Sequence, residues 1–309
     1  MNIFRKSLVP LGCTLSGLAL QGCTTVGEDA QVAPAIDTMV EAGEGPALWR
    51  LADEDTTIYL FGTVHALRDN VDWYKGKIPT ALGESGELVT EIPDGVANDP
   101  QTQQMMMGKA MLPADQNLRD LLTEEQRATY EAAMVHIGME PGSFDRLEPW
   151  FAGMTLGVVP LLKAGWNPEN GGEKIVEARA SAEAKRSALE TMEEQIAIFD
   201  GMPQETQIDF LMAASEGMEE YIPMMERMVE EWLAGNPAQL AAIMNESLKD
   251  PAIAKALLYD RNARWAEWID TRMDQPGQVF VAVGAGHLAG DRSVQDYLAE
   301  RGIKTTRVQ

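Results

Sequence analysis

The chain has 309 residues, 45% of them apolar and 24% charged, which is ample for a packed core and too apolar for a disordered chain. Its formal charge of −23 at pH 7 argues against nucleic acid, and against anionic membranes held by charge; the acidity otherwise reads as solubility. Only two cysteines occur, Cys13 and Cys23, so the chain beyond residue 23 has neither a disulfide scaffold nor a thiolate metal site.

Arg5 and Lys6 open the N-terminus, and the apolar stretch Leu8 to Leu20 is too short to cross a membrane comfortably. It ends in Leu20-Gln21-Gly22-Cys23, which resembles the lipobox of bacterial lipoproteins, although Gln21 is unusual at its position. That resemblance implies a signal peptide over residues 1–22 and a lipid on Cys23. With Thr24 rather than Asp next, it implies a membrane anchor in the outer membrane of a bacterial cell envelope, facing the periplasm. Ordinary secretion with cleavage elsewhere is the alternative. Residues 23–46 are small, polar and acidic with no apolar period, and read as a flexible tether.

One domain is expected from residue 47 to 309. Ala47-Leu48-Trp49-Arg50-Leu51, a turn at Asp53-Glu54-Asp55, and Thr56 to Phe61 read as a β-hairpin. The second strand runs on as Ile58-Tyr59-Leu60-Phe61-Gly62-Thr63-Val64-His65. A short helix is expected over Pro79 to Glu84, and Glu87-Leu88-Val89-Thr90-Glu91 reads as a strand closing on a carboxylate before the stop at Pro93-Asp94-Gly95. The pattern is then helical over about 99–275. Within it Thr123 looks like an N-cap, Leu147 to Leu162 a buried helix, and Gly171-Gly172-Glu173 the opening of another. Ser187 to Thr191 reads as a fourth strand ending at Glu190. Ile222-Pro223 starts or kinks a helix, and Leu257 to Trp265 begins the last long one. The closing unit is a strand over Val279 to Val283, a loop with His287, a helix over Ser293 to Arg301 and a strand over Lys304 to Val308. Together these predict an α/β fold: a mixed central β-sheet with a large, mostly helical insertion between N- and C-terminal strand units.

Gly62-x-x-His65 returns as Gly284-x-x-His287, each at the end of an apolar strand, and the chain has only three histidines. Ligands of open α/β sheets bind beyond the carboxyl ends of strands, so the two imidazoles are candidates for one site. His136 falls inside a helix and reads as incidental. The methionine clusters Met105-Met106-Met107 and Met224-Met225-Met228 read as core or groove lining. Two imidazoles and a carboxylate suit a hydrolytic divalent metal ion with an open position for water. A metal-free alternative uses one histidine as general base on water, oriented by Glu91, with Arg261 at the developing oxyanion. There is no Gly-x-Ser-x-Gly elbow, phosphate loop, dinucleotide fingerprint or His-Glu-x-x-His.

The chain resembles the TraB/GumN family, related to the Tiki proteins, from about Leu48 to Val308. The resemblance rests on Leu60 to His65, on Leu88-Val89-Thr90-Glu91, on Leu189-Glu190-Thr191 with Glu194-Gln195, on Asp260-Arg261-Asn262, and on Val283 to Gly290. Thr90 departs from the aliphatic residue usual before the glutamate. By resemblance, His65, His287, Glu91 and Arg261 are catalytic, and the first three hold a divalent ion of the manganese, cobalt or zinc type. Glu190, Gly62, Gly284 and Asn262 are further site candidates. The implied activity is that of a metal-dependent hydrolase, a metalloprotease-like peptidase acting on a peptide or another small hydrolysable substrate. A binding or scaffold lipoprotein on the same fold is the non-enzymatic alternative.

Overall fold

The computed structural model describes residues 45–245 and 250–309. The expected leader, the lipidation site Cys23 and the tether up to residue 44 lie outside the described residues. Six strands, numbered in chain order, form one mixed sheet: β1 (Leu48–Ala52), β2 (Thr56–Thr63), β3 (Glu87–Thr90), β4 (Lys185–Ala188), β5 (Gly277–Gly284) and β6 (Thr306–Arg307), in the order β4-β3-β5-β2-β1-β6. β1 and β2 make the expected antiparallel hairpin. β5 lies parallel to both β2 and β3, and β4 parallel to β3, so four strands run the same way in the half of the sheet that matters here.

The parallel register explains why distant motifs meet. Gly62 stands opposite Val283 and Thr63 opposite Gly284, while Thr90 stands opposite Ala282. Both Gly-x-x-His segments and the Thr90-Glu91 step therefore leave the sheet at one edge. The approach is close. A β-carbon on Gly62 would lie 2.9 Å from the Ala285 α-carbon, so only glycine lets the two segments touch at this point.

Alternation along the strands divides the core in two, as period-2 geometry requires. Ile58, Leu60, Val279, Val281 and Val283 face Trp265, Ala266 and Ile269 of the helix Asp260–Met273, with Val294 and Leu298 of Val294–Glu300 beside them. Phe61, Phe280 and Ala282 face the helical insertion, where Tyr130, Tyr221, Met224, Met225, Met228 and Trp232 close over them. The second methionine cluster is thus core. Met105 and Met106 are partly buried against a third cluster around Trp150, Phe199 and Phe210. No helix among the described residues is long and apolar enough to cross a membrane.

The expected helices stand. Thr123 caps Glu124–His136 through a full capping box with Gln126, Pro149–Lys163 forms but buries only one face, with Val158 and Leu162 exposed, and Gly172–Arg179 opens at the second of the two glycines. Pro223 lies inside Met218–Leu233. Three local readings shift. The fourth strand is Lys185–Ala188, because Thr191 caps the helix Met192–Asp200 with Glu194 and draws the chain out of the sheet; the Leu189 and Glu190 amides still donate to the carbonyls of Thr90 and Glu91, at 3.0 and 2.8 Å. The last strand keeps only Thr306–Arg307; beyond it the Val308 and Gln309 amides share the Leu48 carbonyl of β1, so that two residues stand against one. The last long helix, Asp260–Met273, is preceded by a π turn over Lys255–Tyr259, a form often found beside functional residues.

Candidate functional site

His65 lies just past β2, His287 within a 3-10 turn (Ala285–Leu288) that follows β5, Glu91 just past β3 and Glu190 two residues past β4. Arg261 and Asn262 project from the first turn of Asp260–Met273. All of these predicted side chains except His65 are at least nine-tenths buried, and Arg261 and His287 are 0% exposed. His136 does not join them; it ends a helix on the surface.

Arg261 is the hub. Its Nε donates to both oxygens of Glu190 at 3.0 Å, and Nη2 reaches Glu91 Oε2 at 2.6 Å and Glu190 Oε2 at 2.8 Å. Nη1 donates to the Leu257 carbonyl at 3.1 Å and lies 3.0 Å from His287 Nε2. The Leu257 carbonyl belongs to the π turn, so that irregularity supplies one of the arginine's acceptors. Burial disfavours the guanidinium charge, but Glu91 and Glu190 outweigh it, so the arginine is held more firmly protonated than a free one. Every N–H of Arg261 is engaged by the protein. As arranged, it positions Glu91 and His287, with no donor left for the substrate oxyanion expected of it from the sequence.

Glu190 is likewise consumed, accepting also from Trp265 Nε1 at 3.1 Å and Arg264 Nη2 at 3.0 Å. Glu91 spends Oε1 on the Gly284 amide at 2.6 Å and Oε2 on Arg261 and on Gln195 Nε2, 3.1 Å away. The carboxylate at the end of β3 thereby ties down the start of the second Gly-x-x-His segment.

The two histidines have different surroundings. His287 stacks on Trp265 with ring centroids 4.1 Å apart, and its Nδ1 lies 2.5 Å from Asn262 Oδ1. The Asn262 amide nitrogen donates to the Arg292 carbonyl at 2.8 Å, which leaves Oδ1 as the acceptor facing the ring. This arrangement suits a proton on Nδ1, with Nε2 facing Arg261. Burial, then the charges of Arg261 and His65, push its pKa well below the ordinary 6.5, so the ring is neutral.

His65 instead pairs with a carboxylate that sequence reasoning missed. Its Nδ1 lies 2.5 Å from Glu173 Oε1, and the Thr63 hydroxyl donates to the same oxygen. Burial depresses the proton affinity of His65; Glu173 more than restores it, with Glu91 adding and Arg261 opposing, and the pKa ends above 6.5. Burial alone would raise Glu173, but His65 and Thr63 hold it below the usual carboxylate value. His65 and Glu173 are also where the site meets solvent, with side chains 15% and 16% exposed. His65 Nε2 is itself buried and has no hydrogen-bond partner among the described residues.

Glu173 stands where it does because Gly171 and Gly172 precede it. A β-carbon on Gly171 would lie 2.4 Å from the His65 carbonyl oxygen, and one on Gly172 3.0 Å from Thr63 Cβ. The Gly172 amide donates to the Val64 carbonyl at 2.8 Å, docking the helix start on the strand end. Those glycines, followed by an acid at a helix start, were the available sequence signal. Gln195 stood among the residues that carry the family resemblance, without a role, and Trp265 carried no such signal.

The donor types here, two imidazoles and a carboxylate, suit a divalent ion of the manganese, cobalt or zinc kind. Their arrangement does not gather them on one point. Arg261 stands against both His287 Nε2 and Glu91, whose Oε1 is 3.9 Å from that nitrogen, and no group of three such donors among the described residues is placed to hold one ion. Charge is nearly balanced without an ion when His65 is protonated: Glu173 faces His65, while Glu91 and Glu190 face Arg261 and Arg264.

Fold and site together define an α/β protein with a buried histidine–glutamate–arginine centre at the carboxyl edge of its parallel strands. The chain belongs to the TraB/PrgY/gumN family, whose sequence profile matches residues 47–307. It is 24% identical over 245 residues to a protein named "Uncharacterized protein YbaP" from Escherichia coli (strain K12), covering 78% of this chain and 87% of that one; the protein of the same name from Shigella flexneri matches to the same extent. No solved structure shows a significant match.

Proposed function

We propose that the protein is a hydrolase in which His65 moves the proton of the attacking water. The observation that carries this reading is His65 Nε2: it is buried and unpartnered, on a ring held from behind by Glu173, at the solvent-facing side of the site. In the proposed cycle Nε2 takes a proton from water as the oxygen attacks an acyl carbon. The imidazolium then returns that proton to the leaving group, and Glu173 steadies the charge between the two steps. Peptides and other small acyl compounds are the substrate class. A raised His65 pKa suits a group exchanging protons near neutral pH. The test is hydrolysis of a panel of peptides and esters by wild type and His65→Ala, each in excess chelator. Turnover that survives chelation and disappears in the variant is expected; a panel on which no turnover depends on His65 would leave a binding protein instead.

A second reading keeps the divalent ion, and the chemistry of the donors favours it: His65, His287 and Glu91 would hold the ion, which would supply an acidified water. It requires Arg261 to leave His287. Metal analysis of wild type, His65→Ala and His287→Ala decides here, since equal ion content in all three counts against this arrangement.

The N-terminal sequence supports anchoring through a lipid on Cys23 at the outer membrane, with the domain in the periplasm. Mass spectrometry of the mature protein is expected to show an acylated N-terminal Cys23, and Cys23→Ala to abolish membrane association. An unmodified soluble form of the wild type would overturn the anchor.

A further inference from the structure

We propose that both imidazoles are locked from behind in the same protonation form, Nδ1–H with a bare Nε2 turned inward, and that Glu173 is the positioning residue that does this for His65 as Asn262 does for His287. The proposal rests on the reading of His65 as the working group, and it adds a device that composition and motif do not reveal.

The geometry is parallel at the two ends. Glu173 Oε1 lies 2.5 Å from His65 Nδ1, and Asn262 Oδ1 lies 2.5 Å from His287 Nδ1. Each acceptor is itself fixed by a further hydrogen bond. Thr63 donates to the Glu173 oxygen, and Asn262 is oriented because its amide nitrogen is spent on the Arg292 carbonyl. An oxygen in that position admits only a protonated Nδ1, so in a neutral ring the lone pair must reside on Nε2. At His287 that lone pair faces the Arg261 guanidinium at 3.0 Å. At His65 it has no hydrogen-bond partner among the described residues.

The two locks also differ in a way that assigns labour. Asn262 is neutral and His287 is fully enclosed, so this ring serves as a fixed acceptor in the Arg261 network. Glu173 is anionic and lies with His65 at the solvent edge, so this ring can take on a proton without leaving a bare charge. Glu173 reaches its place only because Gly171 and Gly172 let a helix start press against the His65 backbone and the Thr63 side chain.

With three histidines in the chain, the test can be read ring by ring. Long-range proton–nitrogen correlation spectra of the full domain with labelled histidine, recorded well above the histidine pKa range, report which nitrogen of each neutral ring is bare. Expected in wild type are two rings with protonated Nδ1 and bare Nε2, and a third, surface His136 (assigned by His136→Gln), with the mixture of an unconstrained imidazole. In Glu173→Ala the His65 ring alone is expected to join that mixture. Glu173→Gln, which still offers an amide oxygen, is expected to keep the wild-type pattern. Turnover should fall about 10–100-fold in Glu173→Ala, as for other supporting carboxylates, with Glu173→Gln between it and wild type. A wild-type His65 bearing its proton on Nε2 would overturn the proposal before any variant is made, and so would an unaltered His65 pattern in Glu173→Ala. Because these spectra need no substrate, they separate failure of the lock from failure of the hydrolase reading, which the His65→Ala turnover test addresses.

Discussion

Arg261→Ala is expected to be the most destabilising single truncation at the site, by about 3–5 kcal/mol, the usual cost of removing one partner from a buried ion pair. The guanidinium is 0% exposed and is the shared partner of Glu91 and Glu190, themselves 5% and 6% exposed. Its loss leaves Glu91 with only the Gly284 and Gln195 donors, and withdraws the donor opposite His287 Nε2. Arg261→Lys should recover little. An ammonium is a point charge with three donors, whereas this site uses a planar fork against two carboxylates, an imidazole and the Leu257 carbonyl. Urea unfolding followed by circular dichroism measures both variants. A midpoint for Arg261→Ala within error of wild type would show that the network contributes nothing to folding.

His65→Ala should remove turnover, by on the order of 10²–10⁴-fold for loss of a proton-transfer group, and it should differ from His287→Ala in stability. His65 lies at the edge of the site with an uncommitted Nε2, and its truncation leaves Glu173 near solvent with Thr63 still donating to it. His287 is enclosed, stacked on Trp265 and bonded at both nitrogens. Removing it leaves Asn262 Oδ1 unsatisfied in the interior, which costs about 1–3 kcal/mol for such a group, and opens a cavity beside the tryptophan. The same neutral ring sets a pH dependence in metal-free protein. Its folded pKa lies well below 6.5, so the unfolded chain binds a proton that the folded one refuses as pH falls below about 6.5. Stability from this group is therefore full above that pH and declines on acidification toward the folded pKa. Calorimetry from pH 7.5 downward, alongside His287→Gln, should show the slope in wild type and its reduction in the variant. Identical pH profiles for the two proteins would contradict the burial of a neutral ring.

Much of the site could be read from the sequence because strand ends announce themselves. The apolar runs before Gly62 and Gly284 are buried parallel strands, and the register that pairs Thr63 with Gly284 delivers both histidines to one edge. Glu91 follows from the same logic, since a short apolar strand closing on an acid places that acid at the edge. Roles were harder to read. Arg261 was expected to face substrate, but nothing in Asp260-Arg261-Asn262 reveals that the protein's own acceptors use every guanidinium N–H. Glu173 escaped notice because its partners, Thr63 and His65, belong to a different element, and its helix start resembles any other. The shortened fourth strand depends on a capping box that draws the chain out of the sheet, and the shortened sixth on two residues sharing the Leu48 carbonyl, neither of which residue type alone decides.

The pairing of β2 with β5 has a consequence for biogenesis. His287 is synthesised 222 positions after His65 (287 − 65), and the strand that carries it is the sheet's central link between β2 and β3. A ribosome must therefore release both segments before the two imidazoles can share one edge, and such long-range closure is slow. The histidine–glutamate–arginine centre is therefore a late product of folding, complete only once β5 has docked between β2 and β3.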